Sequence, residues 1–443
     1  MYPHMVNPLP SLMIACMEQD SSDGSLTTGH TVPRGSPLFA EAKEGEVCRF
    51  QTCYDTTLWP VHIEHAEVVA FDRFELPRTM PKTSRVLRLR LVCDAGPFSD
   101  LPLKSLRIYL GGDQRVRHEL YEALFLKDAP FVFGTVDAEE QTWNFVEPGA
   151  LAPVGFAENE SLFPFMDRGY DAYRLLYEYF HFQDKFLFFD INGLQTQGIT
   201  QDSMEILIAL PDEARLDGDN VSAANFLLGE TRPGFTGSDM LLTFVGPRFD
   251  PKMPPVQTVF ADIWCTNRAL AEQIPAGGML QSEQALPVQR IYCLERLCTT
   301  RHPPQDGETQ WRLISQMSLN HLSLTCEEEG MVALKEMLRL HADLQSSPTI
   351  PEIKGIEDMN ASVVTRRVGK DAWRGFIQGV KISLTLNEDV YAGTSAFLFS
   401  AVLYRFFGLY GALNSFAELE VRRTHQPGVW KVWPPQTGDK PLQ

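Results

Sequence analysis

Two histidines three residues apart, His62 and His65 with Glu64 between them, form the best metal-ligand pattern in the sequence. On a helix that spacing puts both imidazoles on one face, and imidazole with carboxylate suits zinc. The flanking Val61, Ile63, Val68 and Val69 read as a strand, which sends the two rings to opposite faces and out to solvent. Tyr109-Leu110-Gly111-Gly112-Asp113 sets glycines between a strand and a helix, where phosphates bind. Neither G-x-G-x-x-G nor G-K-[ST] accompanies it, so it reads as a tight turn with a helix cap. Glu327, Glu328 and Glu329 offer adjacent acids, but they precede an apolar helical pattern, whose dipole they suit. His181 and His321 lie within aromatic or aliphatic stretches and read as core or boundary residues. No G-x-S-x-G and no cysteine flagged by a partner histidine is present. The sequence supports no enzyme, and no metal or cofactor is expected.

The elements that would position such groups are clearer than the groups themselves. Tyr173, Leu176, Tyr177 and Phe180 follow one helical face, and Phe186 to Phe189 then run apolar on both sides of a pleat up to an Asn192-Gly193 turn. A strand apolar on both faces must be covered on both, so the chain is organised around this stretch. Before it, Leu87, Leu89, Leu91 and Cys93 alternate with Arg88 and Arg90, and Leu106, Ile108 and Leu110 repeat the pattern. Asp113 caps a helix through Leu126. After it come strands at 204–210 and 256–266 and an amphipathic segment of undecided type at 311–324. Leu334, Met337, Leu338 and His341 make a helical face. Val380, Ile382, Leu384 and Leu386 alternate as a strand. A helix capped by Thr394 or Ser395 then carries Phe399, Val402, Leu403, Phe406, Phe407 and Tyr410 on one face.

A length of 443 residues exceeds what one core supports. The expected fold is multi-domain α+β, rich in antiparallel, sandwich-like sheets with a few buried amphipathic helices. Residues 1–160 read as a mostly β domain. Residues 161–290 read as a central domain with an aromatic core and a loop-rich, incomplete segment near 211–255. Residues 291–443 read as a C-terminal α+β domain. The net charge of −18 would repel phosphate backbones and speaks against nucleic acid. Eight cysteines without a C-x-x-C pair read as free thiols in a reducing cytosol. No secretion signal is visible, and the apolar run at 396–413 carries Arg405 in its middle, as a buried helix would rather than a membrane span.

Longer phrases resemble one family. Tyr2-Pro3-His4 with Asn7-Pro8-Leu9-Pro10-Ser11 is similar to the opening of TssF (also called VasA or ImpG), a baseplate subunit of the bacterial type VI secretion system. FQTCYDTTLWP at 50–60, LPLKSLRIYLGGD at 101–113 and PVGF at 153–156 match in order. So do YRLLYEYFHFQDKFLFFDINGL at 173–194, CTNR at 265–268, WRLIS at 311–315 and GTSAFLFSAVLYRFFGLYGALNSF at 393–416. The family carries a helical segment ahead of the YPH phrase, and an FCTP-like phrase is expected between Leu228 and Phe235; both are expected in the full-length gene product.

The resemblance implies structural work without catalysis. It implies a cytoplasmic wedge subunit, in two copies with one TssG, joined to TssK and recruited to the inner-membrane-anchored secretion complex. There it would surround the VgrG spike and, with TssE, start the contractile sheath, with no membrane insertion of its own. A carbohydrate-binding or carbohydrate-active β-sandwich using paired carboxylates is the alternative. For partner contact the residues chosen are Trp430 and Trp433, in a proline-flanked tail with little core to enter, because tryptophan is enriched at interface hot spots.

Overall fold

The computed structural model describes residues 9–19, 29–42, 45–136, 141–162, 171–228, 230–231, 233–234, 267–300, 330–342, 349–367, 376–410, 416–437 and 440–441. The expectations for 256–266, 311–324, 327–329 and His321 fall outside these residues. Within them the protein is multi-domain α+β, rich in antiparallel sheets.

Alternation in Arg85–Cys93 builds the middle of a five-stranded antiparallel sheet. Its order is Gln141–Val146, Phe131–Val136, Ser203–Leu210, Arg85–Cys93, Val61–Ala70. Leu87, Leu89, Leu91 and Cys93 enter the main core. The opposite face is also covered: Val86, Val132, Leu207 and Ala209 pack with Phe74 and Met80 in a smaller core. Arg88 lies on that second face as expected, but it is not solvated. Glu205 takes its Nε at 2.9 Å and its Nη2 at 2.8 Å, Glu67 takes its Nη1 at 2.7 Å, and the guanidinium lies 5.7 Å from the Phe74 ring centre. A fork of donors met by two carboxylates lets a cation occupy a largely buried face.

The hairpin at the edge of this sheet depends on Gly134, opposite Trp143. A Cβ there would lie 1.7 Å from the Thr142 carbonyl oxygen. Gly134→Ala is expected to lower stability by about 1–3 kcal/mol through forced strand separation. An unchanged denaturation midpoint would contradict that close approach.

The central stretch supplies the second layer. Gln114–Phe125 is helix α1, begun by Asp113, whose carboxylate accepts from the backbone N–H of Arg115 at 2.9 Å and of Val116 at 3.3 Å. The Gly111-Gly112 turn before it is tied to Asn225, whose side-chain amide donates to the Gly111 carbonyl at 3.1 Å. Asp171–His181 is helix α2. A 3-10 turn at Gln183–Phe186 then leads into the strand Phe188–Asn192, and Gly193 turns the chain with a φ of 84°. That strand lies inside a four-stranded antiparallel sheet, between Leu151–Pro153 and Ser105–Leu110, with Phe226–Leu228 beyond. The buried Phe188 ring meets Tyr109 at 4.7 Å and Tyr54 at 5.9 Å. Side chains on both faces are buried, as a run without alternation requires.

The sheets do not follow chain order. A seven-stranded sheet joins Ala15–Gln19, Pro37–Glu41 and Val47–Thr52 to Met279–Ser282 and Val288–Cys293, and the short strands Glu230–Thr231 and Pro233–Gly234 flank it. Its own core contains Met13, Met17, Leu38, Phe50, Leu280 and Ile291. Cys16, Cys48, Cys53, Cys93 and Cys293 are buried.

Gly330–His341 is helix α3 and Thr349–Lys354 a short helix α4. The face expected on α3, with Leu334, Met337, Leu338 and His341, is buried. A five-stranded sheet follows, in the order Ile356–Arg367, Phe376–Leu386, Ala417–Arg423, Gln426–Thr437, Lys440–Pro441. Phe376–Leu386 and Ala417–Arg423 run parallel, so a crossover must join them; it is Ala396–Tyr410, helix α5. Ser395 caps α5 by accepting from the Leu398 N–H at 3.1 Å. The expected single apolar face of α5 is wider in the structure. Phe397, Leu398, Ala401 and Tyr404 are buried as well, because α5 lies between its own sheet and α2. Among the described residues no helix is long and apolar enough to cross a membrane.

Candidate functional site

The centre of the molecule holds a charge cluster that the sequence pattern does not announce. Arg174 and Glu178 sit on successive turns of α2, and Lys185 follows in the 3-10 turn; all three are buried, Glu178 and Lys185 completely. Glu178 accepts from Arg174 Nη1 at 3.0 Å, from Lys185 Nζ, and from the Leu162 N–H at 2.7 Å. Arg174 also donates to the Phe156 carbonyl at 3.3 Å. Gly155 allows the approach of the 154–162 loop. Its φ is 104°, a Cβ would stand 2.8 Å from the Lys185 carbonyl, and its N–H is taken by Glu160 at 2.7 Å. The cluster thus stitches the helix, the turn and the loop together in the dry interior. Glu178, Lys185 and one arm of Arg174 are engaged with each other and with the neighbouring backbone, an arrangement that serves architecture.

Beside it, Arg117 of α1 is buried and joins three parts of the chain. It donates to Glu295 at 3.0 Å and to the Tyr109 hydroxyl at 3.3 Å, and it lies 3.1 Å from an Asp184 oxygen. His118, its neighbour, is kept neutral, its pKa lowered to about 4 by burial and then by Arg117. Because an exposed histidine protonates near 6.5 and this one resists, stability is lost as pH falls from about 6.5 toward 4. His118→Gln is expected to flatten that acid-side loss in a melting profile; an unchanged profile would show that His118 does not set it.

The tryptophans lie on the strand Gln426–Thr437 and turn toward α5. Trp433 stacks on Tyr404 at 5.0 Å, and both tryptophans meet Phe397 at 5.6 Å. Trp430 Nε1 donates to Glu122 of α1 at 3.2 Å, and Arg423 covers its ring at 4.9 Å. Between them Lys431 donates to the Phe125 and Leu126 carbonyls at 3.0 and 2.8 Å, capping the end of α1. The strand therefore clamps the C-terminal sheet to α1, with both rings half-buried. Val429 and Val432 on the same strand are exposed. The far side of the sheet is a ladder of paired charges: Arg366 to Glu418 at 2.9 Å, and Lys381 and Arg422 to Glu420, each at 2.7 Å.

The other candidates are scattered. A bulge between Ile63 and His65 puts His62 opposite Val92 and His65 opposite Arg90. Val92 and Arg90 share a face, so the expected opposition of the two histidines is corrected: the extra residue returns both to one side. Each meets its own carboxylate, His62 with Asp94 at 3.1 Å and His65 with Glu67 at 3.6 Å. Among the described residues no group of three or more His, Cys, Asp or Glu could hold a metal ion. His181 Nδ1 lies 2.7 Å from the Tyr177 carbonyl of its own helix.

Two carboxyls missed in the sequence stand out by burial. Glu122, beside Trp430, is raised to about 7 by burial, against the pull of the Trp430 hydrogen bond. Glu352 of α4 is also raised to about 7 by burial, and Gln183 donates to it at 2.9 Å. Sequence alone offers no signal for either, since both sit at ordinary polar positions of helices.

Comparison with known proteins gives the arrangement its family. The family model described as Type VI secretion system, TssF, matches residues 1–233 and 229–440. The two matched parts meet where the family's further stretch was expected between Leu228 and Phe235. The type VI secretion system component TssF1 of Pseudomonas aeruginosa is 26% identical over 542 aligned positions, covering 99% of this chain and 87% of that protein. In three dimensions the chain is similar to one in the cryo-electron microscopy structure of the type VI secretion system TssK-TssF-TssG baseplate subcomplex. The TM-score is 0.75 at 18% identity, over 100% of this chain and 93% of that one. These matches give the carbohydrate reading no support. With the family model spanning nearly the whole sequence, the chain belongs to the TssF family of the type VI secretion system.

Proposed function

We propose that this protein is a structural wedge subunit of the type VI secretion baseplate, acting by assembly and without catalysis. The observation that carries the reading is the family match over nearly the whole chain, together with a fold shared over its full length with a chain of a TssK-TssF-TssG subcomplex. The described interior is consistent with that role: Glu178 and Arg117 tie separate elements together. By this reading TssG and TssK are its direct partners and a second copy of the chain joins the same wedge. VgrG and TssE are met in the completed baseplate, on the cytoplasmic side of the inner-membrane complex. A tagged full-length chain expressed with TssG and TssK is expected to retain both through purification. Recovery of the tagged chain alone would overturn the assignment.

Within that function we propose that Trp430 and Trp433 serve partner contact by holding the C-terminal strand in place. Trp433→Ala removes a stacked ring from Tyr404 and is expected to cost about 1–3 kcal/mol of stability, less than a fully buried aromatic. It should also weaken assembly at temperatures where the variant remains folded. Undiminished capture of TssG and TssK by a Trp430→Ala/Trp433→Ala chain would remove the pair from the interface.

A further inference from the structure

The C-terminal unit meets the central body along a seam that two carboxyls cross in opposite directions. Glu122 belongs to the central body and reaches Trp430 of the C-terminal strand at 3.2 Å. Glu352 belongs to the C-terminal unit, is 1% exposed, and reaches Gln183 of the central turn at 2.9 Å. Its backbone carbonyl accepts from the Tyr391 hydroxyl at 2.9 Å, which pins α4 to the turn ahead of α5. The Tyr179 and Thr394 hydroxyls lie beside the Glu352 carboxyl. Yet Glu352 Oε2 and both hydroxyl oxygens are buried without a well-formed hydrogen bond. Glu352 thus lies in a tightly packed inner surface, whereas Glu122 is half-buried against Trp430.

We propose that this seam is a proton-operated joint, fully closed when Glu122 and Glu352 are neutral and loosened when they ionise, so that the C-terminal sheet can part from α1 and α2. A neutral Glu352 carboxyl carries an O–H that a neighbouring hydroxyl oxygen can accept, whereas its carboxylate carries a desolvation cost that outweighs what Gln183 and the two hydroxyls return. Burial holds both protons up to about 7. Around Glu122 stand Arg423 and Arg215, which favour ionisation, and Glu388, which opposes it. On α1 itself are Arg115, Arg117, His118 and Glu119, and on the facing strand is Lys431, bound to backbone carbonyls. Around Glu352 the titratable groups in contact are Tyr179 and Tyr391, both held protonated by burial. The elements packed on α4 also carry Lys335, Glu336, Arg339 and His341 of α3, Glu357 and Asp358 of the adjacent strand, and Glu388 and Asp389. Lys354 lies on α4 itself, and Asp184 and Lys185 follow Gln183 in the central turn. None of these charged groups is among the influences on the Glu352 proton, which burial sets.

The sign follows from linkage. An exposed glutamate titrates near 4.5, these two near 7 when the seam is closed, so opening releases protons between those values and rising pH favours it. Above about 7 both forms are ionised and the effect levels off.

Hydrogen–deuterium exchange on the full chain reads the joint directly. Rates for peptides covering 349–354 and 426–436 are followed from about pH 5 to 8.5, after correction for the intrinsic pH dependence of exchange, in the wild type, Glu122→Gln, Glu352→Gln and the double variant. Wild-type opening is expected to rise on the order of tens of fold per carboxyl up to about pH 7 and then to level off. Each single variant should lose its share, and the double variant should be flat. A flat wild-type profile overturns the proposal by itself, even should the double variant fail to fold. Single variants that track the wild type overturn it equally.

Discussion

Glu178→Ala is expected to cost about 3–5 kcal/mol, enough to leave much of the chain unfolded at growth temperature. The residue is fully buried and is the anion shared by Arg174 and Lys185. Removing it leaves two like charges in the interior and a Leu162 N–H without its acceptor. The cost is that of stranding charges, which exceeds the net worth of the ion pairs themselves. A companion variant separates the two: Arg174→Met/Glu178→Leu/Lys185→Met replaces the whole cluster with apolar side chains of similar size. It is expected to recover most of the loss, since well-packed apolar groups match or exceed buried ion pairs. Chemical denaturation of the purified chains measures both. A Glu178→Ala chain within about 1 kcal/mol of wild type would mean that the cluster is reached by water and does not fasten α2 to its loop.

Phe399→Ala should be comparably severe, at about 3–5 kcal/mol. Phe399 is fully buried at the junction of three elements, meeting Tyr179 at 5.5 Å and Phe180 at 6.3 Å on α2, and Tyr391 at 5.9 Å in the turn ahead of α5. Its removal opens a void where α5 passes between α2 and the C-terminal sheet, and flanking aromatic rings cannot collapse into it without leaving their own partners. Because the ring crosses the seam, the loss should be uneven, with exchange protection falling first in the C-terminal sheet. Phe399→Leu keeps most of the volume and is expected to cost less than half as much, on the order of 1–2 kcal/mol. Equal effects of the two substitutions would argue that the ring's contacts do not hold the seam.

What the sequence made legible was local. Asp113 caps α1 and Ser395 caps α5 because a cap is decided within one turn of its own helix. Leu87 to Cys93 alternate because a sheet face sorts side chains two residues apart. Long-range arrangement was not legible. Strands Met279–Ser282 and Val288–Cys293 return to pair with the first strands of the chain, and no pattern within them names that partner. Arg174 and Glu178 lie off the apolar face that the spacing of Tyr173, Leu176, Tyr177 and Phe180 defines, so nothing in the pattern marks them as buried. In the structure that side is covered by the 154–162 loop, and the charges stay because they satisfy one another. The bulge beside His65 inserts one residue, and one residue is enough to reverse which face a side chain takes. Trp430 and Trp433 look unattached along the chain because their core, Phe397 and Tyr404, lies on a helix some thirty residues earlier. The family phrases were legible for a related reason: PVGF at 153–156 contains the one glycine that lets its loop pass over Lys185.

The measurement that bears most directly on the central claim is the native mass of the full-length protein expressed together with TssG and TssK. The account predicts a discrete complex containing both partners, with two copies of this chain for each TssG. A chain that remains a stable monomer in the presence of both would contradict it.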